Sequence, residues 1–275
     1  EWCPWSNLPD DDFLMMDDRS FTIGQFVWTG FDYLGEPTPY DEYWPSRSSY
    51  FGICDLAGLP KDRYYLYRSR WRSDVHTIHL LPHWTWPGRE GEVTPVYCYT
   101  DYPEAELFVN GKSQGRISKN REGRLDRYRL RWNDVRYEPG ELRVVVYDAQ
   151  GLKAGEKTVV TAGAPARLLL EADRTNLQAD GQDLAFVTVS LTDRQGTLIP
   201  MAADQLTFEV TGNGRFVAAC NGDATSTQPF TQPEMRLFNG QLVVVVQSTK
   251  EAGAMTLRVT DRLRGLNGEL TLRTR

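Results

Sequence analysis

Short apolar strands separated by glycine-bearing turns fill the sequence from about residue 78 to residue 275, and this pattern limits the possible folds more than any other feature. The dipeptide Asn110-Gly111 stands between two apolar runs, which is typical of a two-residue β-hairpin. A second hairpin is predicted around residues 149–151. Because helical periodicity is absent from this part of the chain, we predict a mainly β fold built from antiparallel sheets.

The β-rich part divides in two at the small-residue stretch TAGAPA, residues 161–166. We predict one immunoglobulin-like antiparallel β-sandwich over residues 78–162 and a second one over residues 165–275, since each segment has the size of an immunoglobulin domain, about 100 residues. In the second sandwich, apolar residues that alternate with polar neighbours are expected to face the core. These inward residues are Val187, Val189 and Leu191.

Residues 1–75 follow a different pattern. The run FTIGQFVWTGF, residues 21–31, is continuously apolar and predicts a strand that is buried on both faces. Pro60 is expected to open a helix that extends to Trp71. One strand, a long loop and one helix are too few elements to bury a core of their own. We therefore expect aromatic residues such as Phe26 and Trp71 to pack this region onto a sandwich or onto another chain.

Charge and hydropathy exclude two classes of partner. The formal net charge is −6 and the isoelectric point is near 5.2. Only dispersed arginines around residues 116–136 stand out, and they alternate with apolar residues as on the solvent face of strands, so we expect no nucleic-acid binding. No apolar run approaches the ~18 to 20 residues that a membrane span needs, so no span is expected. The first residues, EWCPWSNLPDDDFLMM, lack the basic start and apolar centre of a signal peptide.

Cysteine and histidine positions argue against a metal site. The four cysteines are scattered and are expected to be mostly buried thiols: Cys3, Cys54, Cys98 and Cys220. His76, His79 and His83 are close in sequence, but they lie in a segment without helical periodicity and so share no face. We expect neither a metal nor a cofactor.

Three segments carry a resemblance to a known family. They are GQFVWTGFDYLGEPTPY, FGICDLAGLPKDRYYLYRSRW and HWTWPGREGEVTPVYCYTDYPEAELFVNGKSQG. In order and spacing they resemble the carboxyl-terminal part of a β-galactosidase of glycoside hydrolase family 2, of the type common in gut Bacteroidetes. The resemblance extends over essentially the whole chain. It implies that residues 1–75 are the last βα unit, a C-terminal remnant, of a catalytic (β/α)8 barrel, which the two sandwiches follow.

The resemblance also implies a sugar-binding region. Taken alone, Trp28 is a core tryptophan of an apolar strand, because most aromatic residues in such strands pack inside. In the family, the tryptophan at the carboxyl end of the eighth barrel strand lines the subsite for the non-reducing sugar, where barrel enzymes carry their chemistry. Asp32, Tyr33 and Glu36 are then expected to bind substrate or to line the rim of the pocket, with Tyr40 beside them.

Asp32 and Glu36 do not qualify as the catalytic pair. A retaining glycosidase needs two carboxyl groups about 5 Å apart, one as acid/base and one as nucleophile. The resemblance implies that both catalytic glutamates lie upstream of Glu1, so no catalytic residue is assigned and this chain alone is expected to be inactive. We favour a structural interpretation of Asp32 and Glu36. In it, they are loop carboxylates that accept hydrogen bonds from backbone amides or border the pocket.

Two classes of function remain open. The first is the C-terminal part of a retaining enzyme that hydrolyses terminal β-galactosides, whose partners are a β-galactoside-containing oligosaccharide or glycan and the upstream barrel. A β-glucuronidase or β-mannosidase is the related alternative, a homo-oligomer is left open, and a periplasmic or secreted location is expected. The second is a stand-alone carbohydrate-binding or adhesin-like module, which would expose aromatic residues on one sandwich face. Alternation places most of the candidates inward: Tyr97, Tyr99, Trp132, Tyr137 and Tyr147.

Overall fold

The computed structural model describes residues 7–37 and 46–275, and these residues form two compact units that interleave along the chain. The first unit takes residues 7–30 and 60–161, and the second takes residues 31–37, 46–59 and 162–275. The domain boundaries expected from the sequence stay a prediction.

Two helices lie among the described residues of the first unit. Helix α1 is Pro9–Asp18 and helix α2 is Asp62–Trp71. Proline suits the first position of α1 because the N–H that it lacks would have no partner there, and the aspartates of the first turn complement the positive end of the helix dipole. Helix α2 begins two residues after Pro60, close to the predicted start.

The first unit also contains a β-sandwich of seven strands. They are β1 (Ile78–Leu81), β2 (Val96–Thr100), β3 (Glu104–Val109), β4 (Lys112–Ser118), β5 (Leu130–Trp132), β6 (Glu141–Tyr147) and β7 (Lys153–Val160). One sheet has the order β1-β2-β5 and the other has the order β4-β3-β6-β7, with antiparallel pairing throughout. Their apolar faces enclose one core, in which Trp84 is fully buried and its indole N–H donates to Glu138 O at 2.9 Å.

Both predicted hairpins are confirmed. Asn110 and Gly111 connect β3 and β4 with φ of 49° and 79°, the positive values that a two-residue hairpin turn requires. Gly151, at φ 77°, lies in the turn between β6 and β7. The residues in the turns, which tolerate positive φ, therefore determine where these hairpins form.

The second unit contains a larger sandwich of nine strands. They are β8 (Arg167–Ala172), β9 (Asn176–Leu177), β10 (Leu184–Thr192), β11 (Gln205–Gly212), β12 (Gly214–Cys220), β13 (Glu234–Arg236), β14 (Gln241–Ser248), β15 (Gly253–Asp261) and β16 (Leu266–Thr274). The sheets have the orders β12-β14-β10-β8 and β13-β11-β15-β16-β9. Val187, Val189 and Leu191 are fully buried between them, as the alternation predicts.

One pairing departs from the predicted antiparallel pattern. Strand β9 pairs with β16 in parallel, through Asn176 with Arg273 and Leu177 with Thr274. The chain passes from β8 to the edge of the other sheet, where the two-residue strand β9 pairs in parallel. Because a parallel pair is not joined by a hairpin, the sequence carries no turn signal for it.

The predicted strand over residues 21–31 is wrong for this structure. None of the described strands includes these residues, and Phe21, Ile23 and Phe26 are exposed. A strand that is buried on both faces needs neighbouring strands for its backbone groups, and none of the strands described in the first unit pairs with residues 21–30.

Aromatic contacts hold helix α1 within the first unit, and packing of Phe26 and Trp71 onto another chain stays a prediction. Phe26 and Trp71 are exposed, whereas Phe13 of α1 is buried between Tyr67 and Tyr128, with ring centroids 5.4 and 5.2 Å away. In the described part of the chain, neither helix is long and apolar enough to cross a membrane.

Candidate functional site

Trp28 belongs to the first unit and presents its indole at the surface. Its side chain is 72% exposed, and the Trp28–Thr29 peptide bond is cis. The ring is therefore outside the buried core of the first sandwich, and the core interpretation of this tryptophan does not apply to the chain as described. Its role in sugar binding stays a prediction.

Asp32, Tyr33 and Glu36 belong to the second unit, where residues 31–37 pair with residues 46–54. We call these two stretches the site ribbon. Phe31 bridges Cys54 and Leu34 bridges Ser48. The backbone N–H of residue 35 donates to O of residue 47 at 2.9 Å, and that of residue 49 donates to O of residue 33 at 2.9 Å. The ribbon thus holds the three predicted residues on one short, hydrogen-bonded segment.

Asp32 is an internal support of the ribbon. It is buried, its Oδ1 accepts the backbone N–H of Gly52 at 2.8 Å, and its own N–H donates to Cys54 O at 3.1 Å. A carboxylate in this position fixes the backbone of the opposite stretch. This geometry matches the sequence-based interpretation of Asp32 as a carboxylate that accepts from a backbone amide.

Gly52 is required for the close approach of the two stretches. A Cβ at this position would overlap the backbone of Phe31, Asp32 and Cys54. Because backbone atoms cannot rotate away as a flexible side chain does, any larger residue must separate the stretches. Sequence reasoning missed Gly52, because a single glycine between Phe51 and Ile53 gives no local signal for a close approach of two stretches.

Tyr33 and Glu36 form the polar part of the ribbon. The Tyr33 hydroxyl donates to Glu36 Oε2, and Glu36 is exposed. Asp32 and Glu36 therefore engage different partners, one a buried amide and the other a phenol at the surface, and they do not form a carboxyl pair of the catalytic kind. Tyr40 lies outside the described residues.

Two serines complete the ribbon and one aspartate lies just beyond it, and all three were missed from the sequence. Ser49 Oγ accepts the N–H of Tyr33 at 3.2 Å, and Ser48 Oγ donates to Tyr33 O at 3.3 Å. Beyond the ribbon, Asp55 Oδ1 accepts the N–H groups of Ala57 and Leu59, each at 2.9 Å. The sequence signal for this last turn was the Asp-x-x-Gly pattern of DLAG.

The histidines of the first unit have separate partners. His76 Nδ1 lies 2.5 Å from Asp101 Oδ2, and His79 Nε2 lies 2.7 Å from Asp62 Oδ1. Burial lowers the pKa of His83, which stacks on Trp86. Within residues 7–37 and 46–275, no three His, Cys, Asp or Glu side chains converge to hold a metal ion.

Cysteines and sandwich aromatics occupy interior positions. Cys54 and Cys98 are buried thiols, Cys220 is a half-buried thiol, and Cys3 lies outside the described residues. Three of the aromatic candidates for a sugar-binding face are buried, which leaves them unable to form an exposed stacking platform: Tyr99, Trp132 and Tyr137.

Family models match two parts of the chain. Residues 168–266 match glycoside hydrolase family 2 C-terminal domain 5, and residues 91–155 match a domain of unknown function, DUF4982.

Curated relatives extend this match. A β-galactosidase of Bacteroides ovatus is 45% identical over 258 residues, which cover 94% of this chain and 29% of that protein. A β-glucuronidase of Formosa agariphila is 28% identical over 210 residues, which cover 75% of this chain and 20% of that protein. The chain therefore spans less than a third of the length of these curated relatives.

Solved structures have the same fold. A β-glycosidase from Bacteroides vulgatus matches with a TM-score of 0.87 at 33% identity, covering 96% of this chain and 32% of that chain. A glycosyl hydrolase family 2 member from Bacteroides cellulosilyticus gives a TM-score of 0.87 at 27% identity, covering 97% of this chain and 38% of that chain. The chain belongs to glycoside hydrolase family 2 and corresponds to the C-terminal region of its proteins.

Proposed function

We propose that this chain is the C-terminal part of a retaining enzyme that hydrolyses terminal β-galactosides, and that it supplies a sugar-contacting wall and two accessory sandwiches. The observation that carries the proposal is the exposed indole of Trp28. A large aromatic ring at the surface is costly to leave in water and is a suitable partner for the apolar C–H face of a sugar.

The two catalytic carboxyl groups of the proposed enzyme come from its upstream barrel. A retaining mechanism needs an acid that protonates the leaving oxygen and a carboxylate that attacks the anomeric carbon, about 5 Å apart. Asp32 is occupied with a backbone amide, and Glu36 accepts from Tyr33, so this chain contributes binding and support rather than bond cleavage.

Tyr33 and Glu36 are the proposed hydrogen-bonding contacts to sugar hydroxyls. Tyr33 can donate or accept through its hydroxyl, and the exposed carboxylate of Glu36 accepts from hydroxyl groups. Asp32 supports these two residues indirectly, because its carboxylate accepts the Gly52 amide and so holds the two stretches of the site ribbon together.

The test compares sugars and variants in a catalytically complete enzyme that contains this chain. The complete enzyme should cleave a nitrophenyl β-galactoside with a higher kcat/KM than the matching β-glucuronide or β-mannoside, and the 275-residue chain alone should release no nitrophenol. A higher kcat/KM on the β-glucuronide would mean that the enzyme acts on β-glucuronides and not on β-galactosides.

Trp28→Ala in the complete enzyme isolates the stacking contact. Loss of one aromatic stacking surface is worth on the order of 1 to 3 kcal/mol, so kcat/KM should fall roughly ten- to a hundredfold. Trp28→Phe keeps a ring and should retain more activity. Normal kinetics combined with a lowered melting temperature would assign Trp28 a packing role instead.

A further inference from the structure

We propose that the second sandwich positions the site ribbon through the last residue of strand β12 and those that follow it, so that Arg47, Gly222 and Cys220 are positioning residues for the sugar-binding region. We call residues 220–230 the clamp loop. This inference rests on the proposed function, because it assigns a task to the ribbon that carries Tyr33 and Glu36. All contacts concerned lie within the second unit.

Arg47 forms the first connection. Its backbone carbonyl accepts the N–H of Gly35 inside the ribbon, at 2.9 Å. Its side chain reaches the clamp loop, where Nη2 donates to Gln228 O and the guanidinium carbon lies 4.5 Å from the centroid of the Phe230 ring. One residue therefore joins the clamp loop to the position next to Glu36.

The second connection is a close approach at the other end of the ribbon. Gly222 packs against Asp55, and a Cβ on Gly222 would lie 2.6 Å from Asp55 Cγ and 3.0 Å from Asp55 Cβ. Cys220 Sγ lies within hydrogen-bond distance of two carbonyl oxygens, Leu56 O at 3.5 Å and Asn221 O at 3.3 Å. Burial, with the Asp55 carboxylate nearby, raises the pKa of the Cys220 thiol to about 12, which keeps it protonated and able to donate. Asp55 directly follows Cys54, which accepts from Asp32.

The clamp loop is itself attached firmly to its sandwich. Asn221 is buried and its Nδ2 donates to Arg236 O at 2.8 Å, while the N–H of Ala219 donates to Phe230 O at 2.8 Å. Phe230 also packs against the apolar core of the second unit. A ribbon without a helix or a core of its own is thus fixed at both ends to a rigid β scaffold.

The first experiment measures amide hydrogen exchange on the chain itself. Arg47→Ala and Gly222→Ala should each speed exchange of the Gly35 and Ser49 amides at least about tenfold, because these amides donate within the ribbon. Exchange in β10 and β14 should not change. Two matched controls should behave as wild type. Arg262→Ala removes an exposed arginine with no ion pair among the described residues, and Gly163→Ala adds a Cβ that meets only Asp193, at 3.5 Å.

The second experiment measures kinetics on a nitrophenyl β-galactoside with the complete enzyme. A misplaced ribbon should raise KM about tenfold while kcat changes less, since the catalytic carboxyl groups lie elsewhere in the proposed enzyme. Arg47→Lys keeps a cation that can face Phe230 and donate to Gln228 O, so it should restore most of the wild-type KM.

The outcomes separate the clamp from the proposed function. Unchanged ribbon exchange in both Arg47→Ala and Gly222→Ala overturns the clamp. Faster exchange with wild-type KM and kcat overturns the positioning role. If the unaltered enzyme does not hydrolyse the galactoside, the proposed function fails, and hydrogen exchange alone still decides whether the clamp exists.

Discussion

Helix α1 and the site ribbon are both attached to a β-sandwich, but by different forces. Helix α1, in the first unit, is held by ion pairs from Asp10 to Arg129, Asp11 to Arg124 and Asp18 to Arg127. The site ribbon, in the second unit, is held by backbone hydrogen bonds and glycine close approaches.

The ionic attachment of α1 surrounds a small apolar contact. Asp10 and Arg129 are buried together, and Phe13 lies between two tyrosine rings. The other pairs are at the surface, where water screens them and each contributes little. The strength with which α1 is attached should therefore depend on pH and on one buried ion pair. The attachment of the ribbon should depend instead on the close approach of backbone atoms at glycines.

Gly52→Ala is expected to have the largest effect. The added Cβ overlaps two backbone atoms of the facing stretch, Phe31 C and Asp32 N, and also Cys54 O of its own stretch, so residues 31–37 and 46–54 must separate. In the complete enzyme, activity on a β-galactoside should fall at least about a hundredfold, since a displacement of about 1 Å costs that much. Kinetics measured beside hydrogen exchange of the Ser49 amide provide the check.

Gly24→Ala is the matched control, because no atom lies within 4 Å of a Cβ at that position. It should leave exchange in the ribbon unchanged. Wild-type kinetics for Gly52→Ala would show that the two stretches of the ribbon can separate without loss of activity. Close packing at Gly52 would then not be what holds the ribbon in its active position.

Arg129→Met tests the buried pair of the ionic attachment. The change leaves the Asp10 carboxylate buried without its cation, and breaking a buried pair in this way costs about 3–5 kcal/mol. Calorimetry should show a lower melting transition for the first unit. The double variant Asp10→Leu/Arg129→Met should recover much of the loss, because it removes both charges. Equal losses in the single and double variants would mean that packing, not charge, holds α1.

Sequence patterns predicted the sandwiches because their signals are local. The alternation at Val187 and Val189 and the turn at Asn110-Gly111 need only neighbouring residues to be read. Helix α1 carries local helix-start residues, Pro9 and its first-turn aspartates, but PDDDFLMMDD has only one aromatic residue and no pattern that indicates what it packs against. Its docking depends on arginines that lie more than 100 positions later in the chain.

The candidate site was only partly predictable for the same reason. Trp28 and Asp32 came from a resemblance that extended beyond what residue patterns alone indicate. Gly52 and Arg47 matter through contacts that no local pattern encodes, and Arg47 meets Gln228 across 181 positions of sequence. The strand predicted over residues 21–31 failed because a strand exists only with its pairing neighbours.

Acid should weaken the attachment of α1 through the surface aspartates. Hydrogen bonds from Arg124 lower the pKa of Asp11, and hydrogen bonds from Arg127 lower the pKa of Asp18, from the ordinary value of 3.8. Their stabilising contribution is complete above 3.8 and is lost as the pH falls through the lower, folded-state pKa values. The variant Asp11→Asn/Asp18→Asn should therefore lose less stability than wild type between pH 4 and pH 2.

Asp10 should respond with the opposite sign. Burial raises its pKa in spite of Arg129, so the folded state binds a proton at Asp10 more readily than the unfolded chain does. Its own contribution to stability should rise as the pH falls from above the raised pKa to below 3.8. Melting temperatures of Asp10→Asn and wild type across this range test the sign, and a steeper acid loss in wild type than in Asp10→Asn would contradict it.

The smallest expected effect is that of a single surface pair. Arg124→Gln removes the partner of Asp11, a contact of 2.6 Å between a largely exposed guanidinium and a partly exposed carboxylate. Screening and the entropy of two long side chains leave such pairs little net strength, so the melting temperature of the first unit should fall by only about 1–2 °C at low salt. The difference should shrink further at 1 M salt, where the Debye length is about 3 Å. A loss as large as that of Arg129→Met would mean that the pairs at α1 act as one network, and the buried pair would then no longer be the main contact of the ionic attachment.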